Sequence, residues 1–387
     1  MRQAGAGTTT THVPRALADR EHGVSAKPIL VAGGAGYIGS HFCHVAAQRG
    51  YAPIVIDRLG PSSSNVEAYR RGASARFPLI ACDIGDEAQV RAAIDRYRPV
   101  AAVCFAALIE VAESVAKPDL YWDNNYVRAM RFFRTLATGG VQHLVFSSTA
   151  SVYGGVDDEP LAETHQLTPA SPYGQTKLAC ELMLLGATEN HQLANAVSFP
   201  SHGADWPPLP SDERTSFVPS STLVFRYFNA AGGHVTAGLG EVHEPESHLI
   251  PRLLAAALGK TPDLSATING DDYDTPDGTC VRDYVHVLDL ADAHISGLDY
   301  LLDGGNSDVF NLGSGSGYSI RQVLAAVGRA TGVSVPARVG PRRAGDTASL
   351  IADAGKAQRV LGWTPQRDLD EIVASAAAFH RAHGVQI

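Results

Sequence analysis

The chain is 387 residues long and 45% hydrophobic, enough to bury one large core or two ordinary ones. Its net charge of −9 argues against a nucleic-acid or polyanion binder, because such proteins carry a basic face. No apolar run reaches the roughly 18 residues needed to span a bilayer, so a membrane-embedded protein is not expected.

Residues 1–26 hold Arg2, Arg15, Arg20 and a threonine run, but no continuous apolar stretch of the kind a secretory signal needs. They read as a disordered tail. From Lys27 the pattern sharpens. Ile29 to Ala32 is a short apolar strand, and Gly33, Gly36 and Gly39 follow at intervals of three. Missing side chains there let the backbone approach a pyrophosphate and let the next helix pack close to the strand. That helix begins with its amides and positive dipole end toward the phosphates. Ile54 to Ile56 is the second strand, closed by Asp57. A carboxylate at this place accepts from both hydroxyls of an adenosine ribose and repels a 2′-phosphate, which favours NAD over NADP. Arg58 beside it is a residue that can also greet a phosphate. Strand, glycine turn, helix, strand and acid in this order predict a dinucleotide-binding unit rather than a plain tight turn.

The alternation continues. Phe77–Ala81, Val100–Ala106 and Leu144–Ser147 read as apolar strands, and Asp86–Tyr97 and Tyr121–Ala137 read as helices. Unbroken apolar strands separated by helices predict a parallel sheet covered on both faces: an α/β, Rossmann-type doubly wound fold. Ser198–Ser220, with five prolines and many serines, reads as a surface insertion. Leu223–Tyr227 resumes a strand, and the chain is then loop-rich to Gly240. Helices are expected at Ile250–Leu258 and Ile320–Ala330. The expected division is a cofactor domain at 27–228 and a smaller C-terminal α/β substrate domain at 229–387. The cleft lies between them. The cysteines at 43, 82, 104, 180 and 280 are scattered without a CxxC pair, which points to reduced, buried thiols in the cytoplasm. No metal-ligating set is expected.

In such sheets ligands bind beyond the carboxyl ends of the strands. Thr149 stands just past Leu144–Ser147, and Tyr173 and Lys177 follow, four apart. On a helix that spacing shares a face. A neighbouring ammonium stabilises phenolate, so Lys177 is expected to bring Tyr173 down toward a working range. Tyr173 then reads as a general base toward a substrate hydroxyl, with Thr149 hydrogen-bonding the same oxygen. With NAD on the glycine turn, the implied step is hydride transfer from a secondary alcohol carbon.

These residues sit within longer motifs: GGAGYIGS (33–40), CDIGD (82–86), FAALIEVAESV (105–115), YWDNN (121–125), SSTASVYG (147–154) and SPYGQTK (171–177). RYFNAAGG (226–233), HEPESHLIP (243–251), DDYDTPDGTCVRDYVHVLDLADAH (271–294) and PRRAGD (341–346) follow. Over about Pro28 to Trp363 the chain resembles the extended short-chain dehydrogenases/reductases, and within them the UDP-glucose 4-epimerases. The resemblance implies NAD-dependent inversion at C4 of a UDP-sugar, through a 4-keto intermediate that turns over in the pocket. It places Tyr37 and Ile38 with the glycines on the cofactor, and Asp83 and Ile84 near the adenine. Ala106, Asn124 and Lys177 fall along the ribose and nicotinamide. It places Asn229 at the sugar diphosphate, His248 among the substrate-binding residues, Leu249 near the uracil, Arg282 and Arg343 on the diphosphate, and Asp346 near the uridine ribose. The alternative for both arginines is ion pairing with Asp283 and Asp346. The residue that limits the sugar pocket falls at Leu350, so N-acetylhexosamine or pentose substrates stay open. The resemblance also implies a homodimer through two helices of the cofactor domain.

Two departures stand out. Thr149 replaces the usual serine and keeps its hydroxyl, and Ile109 stands where many members have a lysine near the cofactor. A sugar-nucleotide dehydratase would need acids after Thr149, where Ala150 and Ser151 stand. A non-catalytic NAD sensor would have no need of Thr149, Tyr173 and Lys177.

Overall fold

The computed structural model describes residues 26–60, 77–154, 160–186, 217–243, 245–260, 265–343 and 346–383. Residues 1–25 of the expected tail and 198–216 of the expected insertion lie outside the described residues.

The first half alternates strands and helices. β1 (Lys27–Ala32), α1 (Tyr37–Gln48) and β2 (Tyr51–Asp57) form the opening unit. β3 (Leu79–Ala81), α2 (Glu87–Tyr97) and β4 (Ala101–Cys104) follow. Asp86 caps α2, its carboxylate accepting from the Gln89 amide at 3.1 Å. Next come α3 (Val111–Ala116), α4 (Pro118–Tyr121), α5 (Arg128–Thr138), β5 (His143–Thr149), α6 (Pro172–Gly186) and β6 (Ser221–Tyr227). One expectation fails here: Tyr121–Ala137 is not an uninterrupted helix. Trp122–Val127 forms a wide π-type turn between α4 and α5. The extra residue per turn faces Asn124 and Asn125 inward, and both are buried. Such turns cluster at functional positions.

The second half contributes β7 (Asn229–Ala231), α7 (Leu249–Ala257), β8 (Ala266–Asn269), β9 (Val281–His286), α8 (Val287–Leu302) and β10 (Asp308–Leu312). β11 (Gly317–Ser319), α9 (Ile320–Thr331), β12 (Ala337–Gly340), β13 (Ser349–Leu350), α10 (Gly355–Leu361) and α11 (Leu369–His383) complete it.

Seven strands make one parallel sheet in the order β10-β6-β5-β4-β1-β2-β3. The middle strands are mostly apolar because both faces are covered. Leu30 and Ala32 of β1 pack into the core on one face, and Ile29 and Val31 into the core on the other. The smaller sheet is centred on β9, which pairs with β7, β11 and β13. Beside it α7, α9 and α11 share a third core with Tyr284 of β9. The large sheet reaches past residue 229, where the sequence sets the division: α8 packs on α1, and β10 is the sheet's seventh strand. Register explains this, since the buried run Val309–Leu312 continues the sheet only beside β6.

Candidate active site

The glycine turn lies where β1 meets α1. Gly33 has φ +76°, and a Cβ there would lie 2.7 Å from the Ala106 amide. A Cβ on Gly39 would lie 2.2 Å from the Gly33 carbonyl, so these two glycines are dictated by packing. Gly36 differs. Its Cβ would meet only the Gly33 carbonyl, at 3.3 Å. The outer side of this turn is therefore open, which fits a pyrophosphate lying on the α1 amides. Asp57, buried at the end of β2, accepts from the Ala35 amide at 3.1 Å and the Leu59 amide at 2.8 Å. Its carboxylate is thereby tied to the turn. The Arg58 guanidinium donates to the Asn124 side chain at 2.9 Å.

Asp83 accepts from Gly85 at 2.8 Å and pairs with Arg128 at 2.5 Å, while Ile84 is buried in the sheet core. Ala106 touches the turn at Gly33. Asn124 donates to Asn125, which in turn holds both the amide and the carbonyl of Leu108, at 2.8 and 2.9 Å. The segment after β4 is thus fixed by the π-type turn. Tyr37 lies at the start of α1, and its hydroxyl donates to the Gly232 carbonyl at 2.8 Å. Its phenol is a strut to the second half of the chain, and burial first, then Glu241, push its pKa well up. Ile38 is half-buried beside it.

Thr149 ends β5 and is buried, its Oγ1 accepting from the Ser151 amide at 3.1 Å. Tyr173 and Lys177 are both buried on α6, as the four-residue spacing requires. The Lys177 ammonium donates to the Ser147 carbonyl at 2.7 Å and lies 4.9 Å from the centre of the Phe146 ring. The Tyr173 phenol is pushed up to about 12 by burial, eased by a hydrogen bond with Thr149 and raised again by Glu110. Here the expectation that Lys177 lowers the phenol is corrected. The amine is committed to Ser147, and its own pKa is lowered, first by burial.

The residues expected on the sugar nucleotide divide into two groups. Asn229 donates to the Asp283 carbonyl at 2.8 Å, one strand from Arg282. Arg282 faces Asp346 at 3.5 Å and lies in register with Leu350 across β9 and β13. Arg343 is exposed, its carbonyl accepting from the Asp346 amide. Arg282 therefore does meet the expected partner Asp346, whereas Asp283 turns the other way, onto Ser314, Gly315 and Ala352. Leu249 opens α7 and packs against the third core. The ring of His248 is engaged by Glu241 and Glu246, at 3.2 and 3.1 Å.

The sequence reading missed three residues. Glu110 acts on the Tyr173 phenol, and its only sequence signal is an acid inside an apolar strand-end segment. Asn125 is visible only as the second amide of a pair. Glu181 lies one turn beyond Lys177 on α6 and forms a fully buried pair with Arg226 at 2.6 Å.

The model of the NAD dependent epimerase/dehydratase family matches residues 29–313. The chain belongs to this family. It is 40% identical over 357 residues to a UDP-glucose 4-epimerase of Rhizobium leguminosarum bv. trifolii, covering 92% of this chain and 98% of that one. A UDP-glucose 4-epimerase structure from Stenotrophomonas maltophila, with NAD and formylated UDP-arabinopyranose bound, superposes with a TM-score of 0.80 at 37% identity. It covers 92% of this chain and 99% of its own. A UDP-Glc/GlcNAc 4-epimerase from Campylobacter jejuni superposes with a TM-score of 0.72 at 35% identity, over 92% and 99% of the two chains. All five cysteines are buried free thiols, and no described helix is long and apolar enough to cross a membrane.

Proposed function

We propose that this chain is an isomerase that interconverts UDP-glucose and UDP-galactose at C4. The observation that carries the reading is the hydrogen-bonded pair of Tyr173 on α6 and Thr149 at the carboxyl end of β5, together with an open glycine turn tied to Asp57 at the end of β2. Bound NAD supplies the acceptor for the C4 hydride and places a positive nicotinamide by the site. Gly33, Gly36, Gly39, Asp57, Asp83, Ala106, Asn124 and Lys177 would hold it. Tyr173 takes the O4 proton, and Thr149 holds that oxygen. A phenol near 12 is a poor base alone, so the proton moves once positive charge stands beside it. With C4 oxidised the ketone is planar, and either face can be reduced when the sugar turns. Arg282, Arg343 and Asn229 anchor the diphosphate during that turn, and Asp346 and Leu249 hold the uridine. Leu350, in register with Arg282, borders the sugar.

The protein works as a homodimer in the cytoplasm. Val111, Val115, Leu120 and Val127 are exposed apolar residues along α3, α4 and the π-type turn of the cofactor half, which fits a helix-to-helix contact between copies. Light scattering that finds a monomer at micromolar concentration refutes this part.

The test is to incubate the purified protein, without added NAD, with UDP-galactose, UDP-N-acetylgalactosamine and UDP-arabinose in parallel. Conversion of UDP-galactose is expected, and the relative rates define the role of Leu350. Tyr173→Phe should retain the cofactor and lose about 10²–10⁴-fold in turnover. Failure of all three substrates, even with NAD supplied, overturns the reading.

A further inference from the structure

The segment from Glu241 to His248 gathers two carboxylates and two imidazoles, of which only His248 is among the residues expected on the sugar nucleotide. The ligand atoms of Glu241, His243, Glu246 and His248 all lie within 4.8 Å of one another. We propose that these four residues form a closed binding site for a single divalent transition-metal ion of the zinc type.

The spacing is the first argument. A tetrahedral zinc site with bonds of about 2.0–2.1 Å puts neighbouring donor atoms about 3.3 Å apart. His248 Nδ1 lies 3.1 Å from Glu246 and 3.2 Å from Glu241. His243 Nδ1 lies 3.4 Å from Glu246 and 3.7 Å from Glu241. Both imidazoles approach the same Glu241 oxygen, at distances on either side of the tetrahedral edge, while Glu246 meets His248 with Oε1 and His243 with Oε2.

The second argument is independent of spacing. His243 Nδ1 is fully buried and makes no hydrogen bond, although it points at two carboxylates. Its distances are too long for a charge-assisted hydrogen bond, which closes to about 2.7–2.9 Å. A buried imidazole nitrogen aimed at two carboxylates is placed as a metal ligand would be.

The site is also prepared. Glu246 has a fully buried side chain, and its two oxygens accept from the backbone amides of His248 at 2.8 Å and His243 at 3.2 Å, so its orientation is set without the ion. Glu241 is buried, and the glycine before it packs on Phe379 of α11 so tightly that a Cβ there would lie 2.1 Å from the ring. Two buried carboxylates side by side need two compensating positive charges, which one divalent ion supplies. Two imidazole donors favour zinc, copper or nickel over magnesium or calcium, whose ligands are oxygens. Four protein ligands leave no open coordination position, which makes the role structural. The ion would staple the segment whose last residue, His248, precedes α7.

The experiment strips the full-length, cofactor-loaded protein with a chelator, dialyses it and titrates it with zinc chloride. Elemental analysis and calorimetry follow binding, and thermal melting follows stability. About one tightly held zinc per chain and a zinc-dependent rise in melting temperature are expected. His243→Ala should weaken binding by more than about tenfold, whereas His44→Ala, at a half-buried position of α1 outside the cluster, should bind as the parent does. Cobalt in place of zinc should give the intense visible absorption of a four-coordinate site. That reading needs only the parent protein, should His243→Ala fail to fold. No zinc above background, zinc binding indifferent to His243→Ala, or the weak spectrum of six-coordinate cobalt each overturns the proposal.

Discussion

Replacing Arg226 by methionine tests how the catalytic helix is held. Arg226 lies one residue from the carboxyl end of β6 with no exposed surface, and Glu181 on α6 has none either. Arg226 donates three hydrogen bonds to the Glu181 carboxylate, at 2.6, 3.0 and 3.2 Å, and a fourth to the Tyr153 hydroxyl at 3.1 Å. The Ser148 hydroxyl also donates to Glu181. The pair thus ties α6, which carries Tyr173 and Lys177, to the strand end that carries Thr149. Arg226→Met leaves a buried carboxylate with a single hydroxyl donor, which costs about 3–5 kcal/mol. For a chain of 387 residues that corresponds to a melting temperature lower by about 4–6 °C. Adding Glu181→Leu removes the stranded charge, so the double variant should cost less than the sum of the singles by about 1.5 kcal/mol or more. Urea unfolding of NAD-saturated protein measures all four corners of the cycle. Turnover in Arg226→Met should fall by about tenfold or more, since Tyr173 and Thr149 lose their common anchor. A single variant costing under about 1 kcal/mol, or strictly additive costs, refutes the reasoning.

Two further outcomes follow from the same structure. Gly33→Ala forces a side chain into a left-handed backbone against the Ala106 amide and should abolish retained NAD, read from nucleotide released on denaturation. Gly50→Ala, also at positive φ but with nothing within 4 Å, should cost only about 1 kcal/mol and keep its cofactor. If both behave alike, the close approach at Gly33 is not what matters. Acid should unfold the protein through its buried neutral histidines. Burial lowers His41, His294 and His380 to about 4. Because the unfolded chain binds these protons first, stability is present above about pH 6.5 and is lost as pH falls toward 4. Each contributes up to about 1.4 kcal/mol of loss per pH unit in that window. His294 sits among Phe42, Phe105 and Phe225, so His294→Gln should lose less stability than the parent between pH 7 and 5.5 by about 1 kcal/mol, in paired urea titrations. Equal losses in the two proteins count against this account.

The opening unit was legible in the sequence because its cause is local. Apolar runs, three glycines and a terminal acid restrict the backbone within some thirty residues, and β1, α1 and β2 appear where that restriction puts them. Tyr173 and Lys177 were legible for the same reason, since a four-residue interval on α6 decides their shared face. Other features had no local cause. β10 joins the large sheet only because β6 offers it an edge in register. The π-type turn exists because Asn125 finds Leu108, 17 residues earlier in the chain. Lys177 looked, from spacing, like the group that tunes Tyr173, yet it is the carbonyl of Ser147, 30 residues back, that holds its amine. Nothing local pairs Glu181 with Arg226, 45 residues on; α6 and β6 bury both against each other. A chain's own periodicity determines which faces it offers. Which partner meets each face, and therefore every buried charge pair and every shifted proton, is decided only when distant segments close around one another.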